Sequence, residues 1–484
     1  MWDFYGRQRE QDDLGRILQR GRWFFARITG RRRIGKTTLV QRALQATSDR
    51  RVFYVQIPDS APAGVLSAVH DAMETFQIPF DVPRPTSLLA LARTVETLAR
   101  RGYVVALDEF QYFSRKHLHE FTSFLQASVD RLSADASNVP GGLIVLGSLH
   151  AELVALLDDR DAPLYNRTTD NLQLQHLDIP SIVHLLQAHD AYSPERLLFL
   201  WNLFEGVPKF YRDAYEHTIL DGERQELLRR MFFLSSSPLR HEADNWFLSE
   251  LRGRYDVVLK YVARNPGCTH GQIVEHVRAL SPDSKEQVGG YLKILIEKYQ
   301  MLERKQPLFS RPSAAKGRYY LRDNFLRSWL AALHSQVSAV NFQPEADLLQ
   351  RADQHLMDIE GFALERMATA LYHERSRRGI GDYPLTRQLE GFWDRAGVEI
   401  DLVALDDDSR TIRFGSCKRN PAKLLPDVAA QERHVAAFLA AHPQYRDWTQ
   451  ERVAIAPVID AETRAELAKR GVIAQDLPDL LHGL

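Results

Sequence analysis

Short apolar runs alternate with helical patterns over residues 1–178. Runs typical of buried strands and spacing typical of helices follow one another: strands are predicted at 22–28, 52–57, 103–107 and 143–146, and helices at 36–44, 88–100 and 118–132. Strands that alternate with helices form a parallel sheet covered on both faces. We therefore predict an α/β core with a parallel sheet at residues 1–178.

The apolar pattern changes in the rest of the chain. From 179 to 240 the apolar residues keep helical spacing, which predicts a helical lid. Residues 241–335 contain three short helical segments and then two strand-like runs, 301–309 and 318–321, around a loop rich in Pro, Ser, Ala and Gly. This set is typical of a winged-helix domain.

Residues 336–484 again carry helical and strand-like runs in turn. The helices are expected at 356–372 and 427–441, and the strands at 398–405, 411–416 and 452–458. The pattern predicts a second α/β domain over 336–484, so the whole chain is predicted to be an α/β protein of several domains.

The composition is that of an ordinary globular protein. With 484 residues, 44% of them apolar and 26% charged, the chain can bury a large core. No run approaches the roughly 20 apolar residues of a membrane span, and the N-terminal MWDFYGRQRE lacks the apolar segment of a signal peptide, so we expect a cytoplasmic protein with no membrane partner. Because the formal net charge is −1, any binding of nucleic acid must come from a local basic face.

A glycine-rich segment follows the first predicted strand and opens a helix. Its sequence, GRRRIGKT, fits the phosphate-loop pattern G-x4-G-K-[ST], in which backbone N–H groups wrap phosphates, the lysine neutralises them and the last hydroxyl ligates Mg²⁺. A basic surface turn is the alternative interpretation. The predicted nucleotide-binding residues are Gly30, Arg31, Arg32, Arg33, Ile34, Gly35, Lys36, Thr37 and Thr38.

Acids at the end of the third predicted strand complete this site. Asp108 is expected to lie beside the metal with Thr37, and Glu109 is expected to polarise water for hydrolysis. The alternative interpretation is that both acids are solvated loop residues. Ser148 is a candidate sensor of the γ-phosphate or a loop serine without function. Arg167 is a candidate for positive charge at the transition state, from the same or a neighbouring subunit, or else a surface ion-pair residue.

Six motifs in a fixed order resemble those of the archaeal-type ATPase family, relatives of the STAND and origin-recognition ATPases. They are FYGRQRE at 4–10, GRRRIGKT, ALDEFQYF, LGS at 146–148, LYNR and GVP at 206–208. The resemblance covers roughly residues 1–335 and implies ATP in preference to GTP. It further implies that Tyr5, Gly6 and Arg7 lie near the adenine and that Pro208 contacts the nucleotide from the lid.

Basic residues dominate the predicted winged helix. Residues 285–327 contain ten Lys or Arg against four acids. In a winged helix, the helix that carries Lys293 would enter the major groove of duplex DNA, while Arg311, Lys316 and Arg318 on the wing would reach phosphates. Winged helices also serve as protein interaction modules, in which case these charges only solvate the surface.

The last domain resembles the PD-(D/E)XK nuclease fold. Glu365 on a helix, Asp401 at the end of one strand and Lys418 after the next follow that fold's order of metal-binding acids and lysine, and Trp393 matches an aromatic position before the aspartate. The sequence departs from the pattern at Ser416, where an acid is usual. The site is therefore open to three interpretations: an active nuclease, a weak one, or a DNA-binding relic. An ordinary α/β domain with an exposed acid and lysine is the fourth.

Three functions follow from these features. The leading hypothesis is an ATP- and Mg²⁺-dependent ATPase switch coupled to duplex DNA, with a homo-oligomer possible. The second is a DNA nuclease in which Asp401 and Lys418 carry the chemistry and ATP regulates it. The third is a STAND-type signalling scaffold whose winged helix and C-terminal domain bind proteins.

Overall fold

The computed structural model describes residues 1–47, 51–147, 151–242, 255–280, 287–311 and 316–484. These residues form two compact units. The first unit comprises Gly6–Leu177 and Val207–Lys209, and the second comprises Met1–Tyr5, Asp178–Gly206 and Phe210–Leu484. No helix within the described ranges has the length and apolar composition needed to cross a bilayer.

A five-stranded sheet forms the centre of the first unit. All its neighbouring strands are parallel, in the order β2-β3-β4-β1-β5. The helices are α1 Gln8–Leu18, α2 Lys36–Ala46, α3 Pro62–Thr75, α4 Leu88–Arg100, α5 Glu120–Ala134 and α6 Ala151–Leu157, and the strands are β1 Phe25–Gly30, β2 Arg51–Gln56, β3 Tyr103–Asp108, β4 Gly142–Leu146 and β5 Asp170–Leu174. The parallel α/β core predicted from the sequence is confirmed.

The burial of these strands explains their sequences. All six residues of β3 and all five of β4 are buried, as expected of strands covered on both faces, and both are continuous apolar runs except for Asp108 at the end of β3. The edge strand β5 buries only Leu172 and Leu174, and its sequence DNLQL carried too little apolar signal to be predicted. Strand β1 lies between β4 and β5, so its carboxyl end is at the point where the strand order reverses, which is where open α/β sheets bind ligands.

Helices make up the first part of the second unit. Over 179–240 these are α7 Ile179–Gln187, α8 Pro194–Phe204, α9 Pro208–Glu216, which begins in the first unit, and α10 Arg224–Leu228. Two of them begin with a serine or aspartate cap followed by proline: Asp178 accepts from the Ser181 N–H, and Ser193 from the Arg196 N–H. The helical prediction for this stretch agrees with the structure.

A small antiparallel sheet in the order β6-β8-β7 follows, with three helices beside it. The elements are α11 Tyr255–Arg264, β6 Cys268–Thr269, α12 His270–Leu280, α13 Val288–Glu297, β7 Leu302–Lys305 and β8 Arg318–Leu321. The two-residue strand β6 was not predicted, because two residues give no periodicity. Strand β7 ends at Lys305, earlier than the predicted 309.

A mixed five-stranded sheet closes the chain, in the order β13-β12-β11-β10-β9, with β9 and β11 antiparallel to β10 and the other pairs parallel. The elements are α14 Asn324–Ser328, α15 His334–Ser338, α16 Glu345–Arg378, β9 Glu390–Trp393, β10 Glu399–Asp406, β11 Thr411–Cys417, α17 Leu424–Ala441, β12 Thr449–Ala456, α18 Ala461–Lys469, β13 Ile473–Asp476 and α19 Leu477–Leu481. The expectation of an additional C-terminal α/β domain with its own sheet is confirmed.

Helix α16 is 34 residues long and extends well beyond the predicted 356–372. Its first turns are rich in charge, yet Leu348, Ala352 and Leu356 are buried at helical spacing, and the helix ends at Gly379, whose φ of 66° is a left-handed cap. The helix packs on α8 and on strands β10 and β11. It therefore links the helical segment to the C-terminal sheet within one unit.

Candidate functional site

Two glycines shape the loop between β1 and α2. Gly30 has a φ of 149°, and a Cβ added there would lie 2.6 Å from the carbonyl oxygen of Leu174. Gly35 has a φ of 93° and caps α2 with no side chain, so the first N–H groups of an 11-residue helix have no side-chain cap. These are the conditions under which a helix N-terminus binds an anion.

Lys36 is held inside this loop. Its Nζ donates to the carbonyl oxygens of Gly30 at 2.9 Å and Arg31 at 3.0 Å, and the residue is 8% exposed. Burial lowers the pKa of Lys36 to about 8, against the opposing effect of the Glu109 and Asp108 carboxylates. An incoming phosphate would replace the two carbonyl partners with charged oxygens, which favour the protonated lysine.

Thr37 and Asp108 meet as predicted for a metal site. Thr37 Oγ1 donates to Asp108 Oδ2 at 2.7 Å, and Asp108 is 4% exposed. The same Oδ2 accepts the hydroxyl of Tyr54 at 2.7 Å. Burial and the Asp108 carboxylate raise the pKa of Tyr54, so its hydroxyl stays protonated and donates. The Thr37 hydroxyl and the Asp108 carboxylate therefore lie side by side. Both offer hard oxygen ligands, which fit Mg²⁺ together with phosphate oxygens and water.

Glu109 follows Asp108 in a left-handed conformation, with a φ of 55°. The Gln111 side chain donates to the Glu109 carboxylate, and Gln111 is 4% exposed. A non-glycine residue at positive φ is uncommon and marks a local constraint. The turn therefore fixes the direction of the Glu109 side chain, which a residue that positions water requires.

The other predicted residues of the phosphate loop differ in their surroundings. Ile34 is buried, Thr38 and Arg32 are exposed, and Arg33 has a φ of 65°. Arg31 Nη1 lies 3.4 Å from His176 Nε2. These positions are compatible with backbone contacts to phosphate, and the roles of the individual arginines stay predictions.

The N-terminal motif divides between the two units. Gly6 and Arg7 belong to the first unit, where Arg7 is buried and donates to Glu10 at 2.9 Å and to the Ile34 carbonyl oxygen at 3.3 Å. Arg7 therefore supports the phosphate loop directly. Tyr5 belongs to the second unit, where its hydroxyl lies 2.8 Å from His189 Nε2. The predicted place of Tyr5 and Gly6 beside adenine stays a prediction.

Three further predicted contacts have different outcomes. Arg167 is bound to Asp130 through two nitrogens, at 2.7 and 3.2 Å, and to the Tyr165 carbonyl oxygen at 3.1 Å. Any role at a nucleotide would require it to leave this ion pair. Pro208 is the first residue of α9. Ser148 lies outside the described residues.

The C-terminal sheet brings together the acid and lysine predicted there. Asp401 lies where the pairing of β10 with β9 shifts register, between Ile400 and Val403, and such irregularities re-aim side chains. Its Oδ2 accepts the Cys417 N–H at 2.8 Å and lies 3.7 Å from Lys418 Nζ. Burial raises the pKa of Asp401, and burial with the nearby Asp401 charge raises the pKa of Glu365 to about 8.

Asp427, at the start of α17, is a third acid that the sequence did not predict. Ser416 Oγ donates to Asp427 Oδ2 at 2.5 Å, and the same oxygen lies 3.2 Å from Lys418 Nζ. Burial lowers the pKa of Lys418, but the Asp401 and Asp427 charges outweigh it, so that pKa is raised. An acid from a helix thus lies next to Ser416, where the nuclease pattern has an acid on the strand.

The carboxylates of this C-terminal site do not form a closed metal cage. Among the described residues, Glu365, Asp401 and Asp427 do not bring three oxygens within 4.8 Å of one another. Lys418 instead lies between Asp401 and Asp427. Mg²⁺ needs only one or two carboxylates besides water and phosphate oxygens. Asp401 and Asp427 therefore fit the ion if the Lys418 side chain moves aside.

The basic residues predicted to bind DNA are not equivalent. Lys293 is 71% exposed and lies 3.9 Å from Glu297, while Arg311 and Lys316 are exposed. Arg318 is paired with Glu399 at 2.6 Å and its guanidinium carbon lies 4.7 Å from the centre of the Trp393 ring. Lys293, Arg311 and Lys316 therefore have exposed side chains, whereas Arg318 already holds a partner, and contact of these residues with DNA stays a prediction.

Two segments of the sequence match known families. Residues 25–154 match the family described as AAA domain, and residues 329–425 match a family described as archaea bacterial proteins of unknown function. Over 422 residues the chain is 26% identical to an uncharacterized protein of Methanocaldococcus jannaschii, and the match covers 86% of this chain and 87% of that protein.

The chain is also similar to solved structures. A Walker-type ATPase of Pyrococcus abyssi superposes with a TM-score of 0.52 at 17% identity, over 68% of this chain and 96% of its own. The ORC2 protein of Aeropyrum pernix, solved with ADPNP and ADP, gives a TM-score of 0.47 at 16% identity, over 74% of this chain and 95% of its own. The AAA domain match and the first of these structures identify the core of the first unit as a P-loop ATPase fold.

Proposed function

We propose that the chain hydrolyses ATP at the phosphate loop of its first unit. The observation that carries this proposal is the 2.7 Å hydrogen bond between Thr37 and Asp108, next to the buried Lys36 and the uncapped start of α2. Together these groups offer a cation, N–H donors without a side-chain cap and two hard oxygen ligands, which phosphoryl transfer to water requires. The AAA domain match supports the proposal.

In the proposed reaction each side chain has a separate task. The N–H groups at the start of α2 and the Lys36 ammonium bind the phosphate oxygens and stabilise the charge that develops on them. Thr37 and Asp108 would hold Mg²⁺, which when bound neutralises phosphate charge. Glu109 orients and polarises the attacking water, with Gln111 fixing its carboxylate.

Tyr54 is a positioning residue in this proposal. Its hydroxyl donates to the same Asp108 oxygen as Thr37, so it fixes the carboxylate rather than touching the nucleotide. Release of phosphate from ATP by the purified chain, measured with and without Mg²⁺, tests the proposal. Phosphate release that does not depend on Mg²⁺, or none at all, would contradict it.

Binding of ATP is expected to weaken as the pH rises through about 8. The pKa of Lys36 is lowered to about 8, and only the protonated lysine attracts phosphate, so ATP must restore the proton lost above that pH. The dissociation constant of a fluorescent ATP analogue should therefore rise between pH 7 and pH 9, by at most about tenfold per pH unit. A constant value over this range would contradict the assignment of Lys36.

We further propose that nucleotide state is coupled to duplex DNA bound by the second unit. The three helices and small antiparallel sheet of residues 255–321 support a winged-helix domain, and their exposed cations support contact with phosphates. The scaffold alternative predicts nucleotide-dependent oligomerisation without DNA affinity. Light scattering and DNA titrations on one preparation, with and without ATP, separate the two.

A second candidate function is metal-dependent DNA cleavage by the C-terminal site. Asp427 favours it, because this acid supplies beside Ser416 the negative charge that the sequence lacks there. Asp401 and Asp427 would hold Mg²⁺, which when bound polarises a phosphate oxygen or activates water. Lys418, between the two acids, would be positioned to reach the same phosphate.

Changing Asp427 to asparagine is expected to weaken this site without altering its shape. Asparagine keeps the size of the side chain but removes the charge that pairs with Lys418. Affinity for Mn²⁺, measured by calorimetry without nucleotide, and nicking of supercoiled DNA should both fall by roughly 10–100-fold. Asp447→Asn, at an exposed aspartate outside the site, is the matched control. Unchanged Mn²⁺ affinity in Asp427→Asn would remove Asp427 from the site.

A further inference from the structure

A groove of about 750 Å³ lies between the small antiparallel sheet and the turn that joins β9 to β10, both in the second unit. Its lining includes four cationic side chains and one histidine: Arg304, Lys316, Arg318, Arg395 and His270. Among the described residues of the lining, only Asp394 is acidic. The Asp394 carboxylate accepts the N–H groups of Ala396 at 2.8 Å and Val398 at 3.0 Å, so it is engaged in its own turn.

The cations of this groove have two roles. Arg318 joins the two walls, since it pairs with Glu399 at 2.6 Å and covers the Trp393 ring, and Trp393 Nε1 donates to the Lys316 carbonyl oxygen at 2.9 Å. The side chains of Arg304, Lys316 and Arg395 are exposed. The groove therefore has a fixed floor and an exposed basic rim, which complements a polyanion.

The aromatic residues of the groove distinguish between forms of nucleic acid. Proteins that bind single strands stack bases on exposed aromatic faces. Here Trp393 is 9% exposed beneath Arg318, and Tyr319 is 7% exposed. His270 is the one exposed aromatic ring among the described lining residues. Because the faces of Trp393 and Tyr319 are covered, the groove favours contact with a backbone over the stacking of successive unpaired bases. A duplex, with its bases inside and its phosphates outside, fits this chemistry.

The basic groove continues into a second cavity of about 510 Å³. The two cavities share Arg304 and Trp393, and the second is lined by Glu365 and Asp401. We propose that duplex DNA binds along the basic groove through phosphates on Arg304, Lys316 and Arg395, with one strand directed toward Glu365 and Asp401. This inference rests on the DNA-binding part of the proposed function, and it adds Arg395, which belongs to the C-terminal sheet and not to the winged helix.

The experiment measures binding of a fluorescent DNA duplex to the full chain by anisotropy over a range of salt concentrations. In Arg304→Ala/Arg395→Ala, affinity should fall roughly tenfold, and the slope of log affinity against log salt should become shallower by about 1.8, the value for two lost phosphate contacts. Arg304→Lys/Arg395→Lys should keep most of the affinity, because phosphates require the charge rather than the guanidinium. Circular dichroism spectra and melting temperatures like those of the wild type would show that the variants fold.

Exposed arginines elsewhere in the second unit provide the matched control, Arg212→Ala/Arg351→Ala, which should bind like the wild type. If the Arg304→Ala/Arg395→Ala variant keeps the wild-type affinity and salt slope, the groove is not the DNA-binding surface, and the chain binds DNA through another surface. An equal loss in the control pair, or tighter binding of an RNA duplex or a single strand, would also overturn it. If the wild-type protein binds no DNA, both the DNA-binding part of the proposed function and the assignment of the groove are wrong.

Discussion

Replacing Lys36 with alanine is expected to reduce the rate of ATP hydrolysis by roughly 10²–10³-fold, the loss typical when a preorganised group that stabilises transition-state charge is removed. Lys36 is the lysine of the phosphate loop, buried with its Nζ on the Gly30 and Arg31 carbonyl oxygens. Without it, the phosphates would meet those carbonyl oxygens with no cation between them. ATP affinity should fall as well, because the lysine contacts phosphate before and during the reaction.

The exposed Lys116→Ala is the matched control for this prediction, since it removes a lysine of the same unit that is not part of the phosphate loop. It should keep the wild-type rate. The melting temperatures of both variants, taken by circular dichroism, would show whether the loop still folds. A folded Lys36→Ala protein that hydrolyses ATP at more than about a tenth of the wild-type rate would be incompatible with the assigned role.

Glu109→Gln is expected to lower the catalytic rate by roughly 10²–10⁴-fold while ATP affinity stays near that of the wild type. The amide keeps the size of the side chain, but it is a far weaker base toward water. Because Glu109 acts on the water and not on the bound phosphates, the change should affect hydrolysis and leave binding largely intact. Single-turnover phosphate release and equilibrium binding of ATP measure the two effects separately.

Glu120→Gln, at the exposed start of α5, serves as the control for Glu109→Gln and should retain full activity. Loss of ATP binding in Glu109→Gln would mean that the carboxylate stabilises the phosphate loop and does not act on the attacking water. A wild-type rate would assign the polarising role to a different residue.

Local sequence patterns were enough to predict the core of each sheet. Strand β3 and the two acids at its end could be placed because its first five residues are buried and form a continuous apolar run. Strands β9 and β13 were missed, since each has four residues of mixed polarity at an edge of the C-terminal sheet. Their pairing is decided by the neighbouring strand and not by their own periodicity.

The candidate sites also contain residues that a local motif predicts and residues that only the fold brings to the site. The phosphate-loop residues are contiguous, so Lys36 and Thr37 could be predicted directly from the motif. Tyr54 and Gln111 reach the site from another strand and from the turn after β3, and they became visible only through their bonds to Asp108 and Glu109. Tyr54 did carry one signal, because it alternates with the buried Phe53 and Val55 and so faces away from their side of the sheet.

Asp427 could not be predicted because its role depends on packing. It lies 11 positions after Ser416, on a helix, and only the placement of α17 beside β11 brings the two side chains into contact. For Arg318, by contrast, the sequence predicted a role that the packing makes less available. Its position on a basic strand predicted phosphate binding, whereas the fold places Glu399 and Trp393 against it.

We propose that ATP is hydrolysed at the phosphate loop and not at the C-terminal carboxylates. This proposal is tested most directly by measuring phosphate release from ATP, in Mg²⁺, by the wild type, Lys36→Ala and Asp401→Ala prepared side by side. We expect Asp401→Ala to hydrolyse ATP at the wild-type rate and Lys36→Ala to be nearly inactive. A rate that survives the loss of Lys36, or disappears with Asp401, would contradict it.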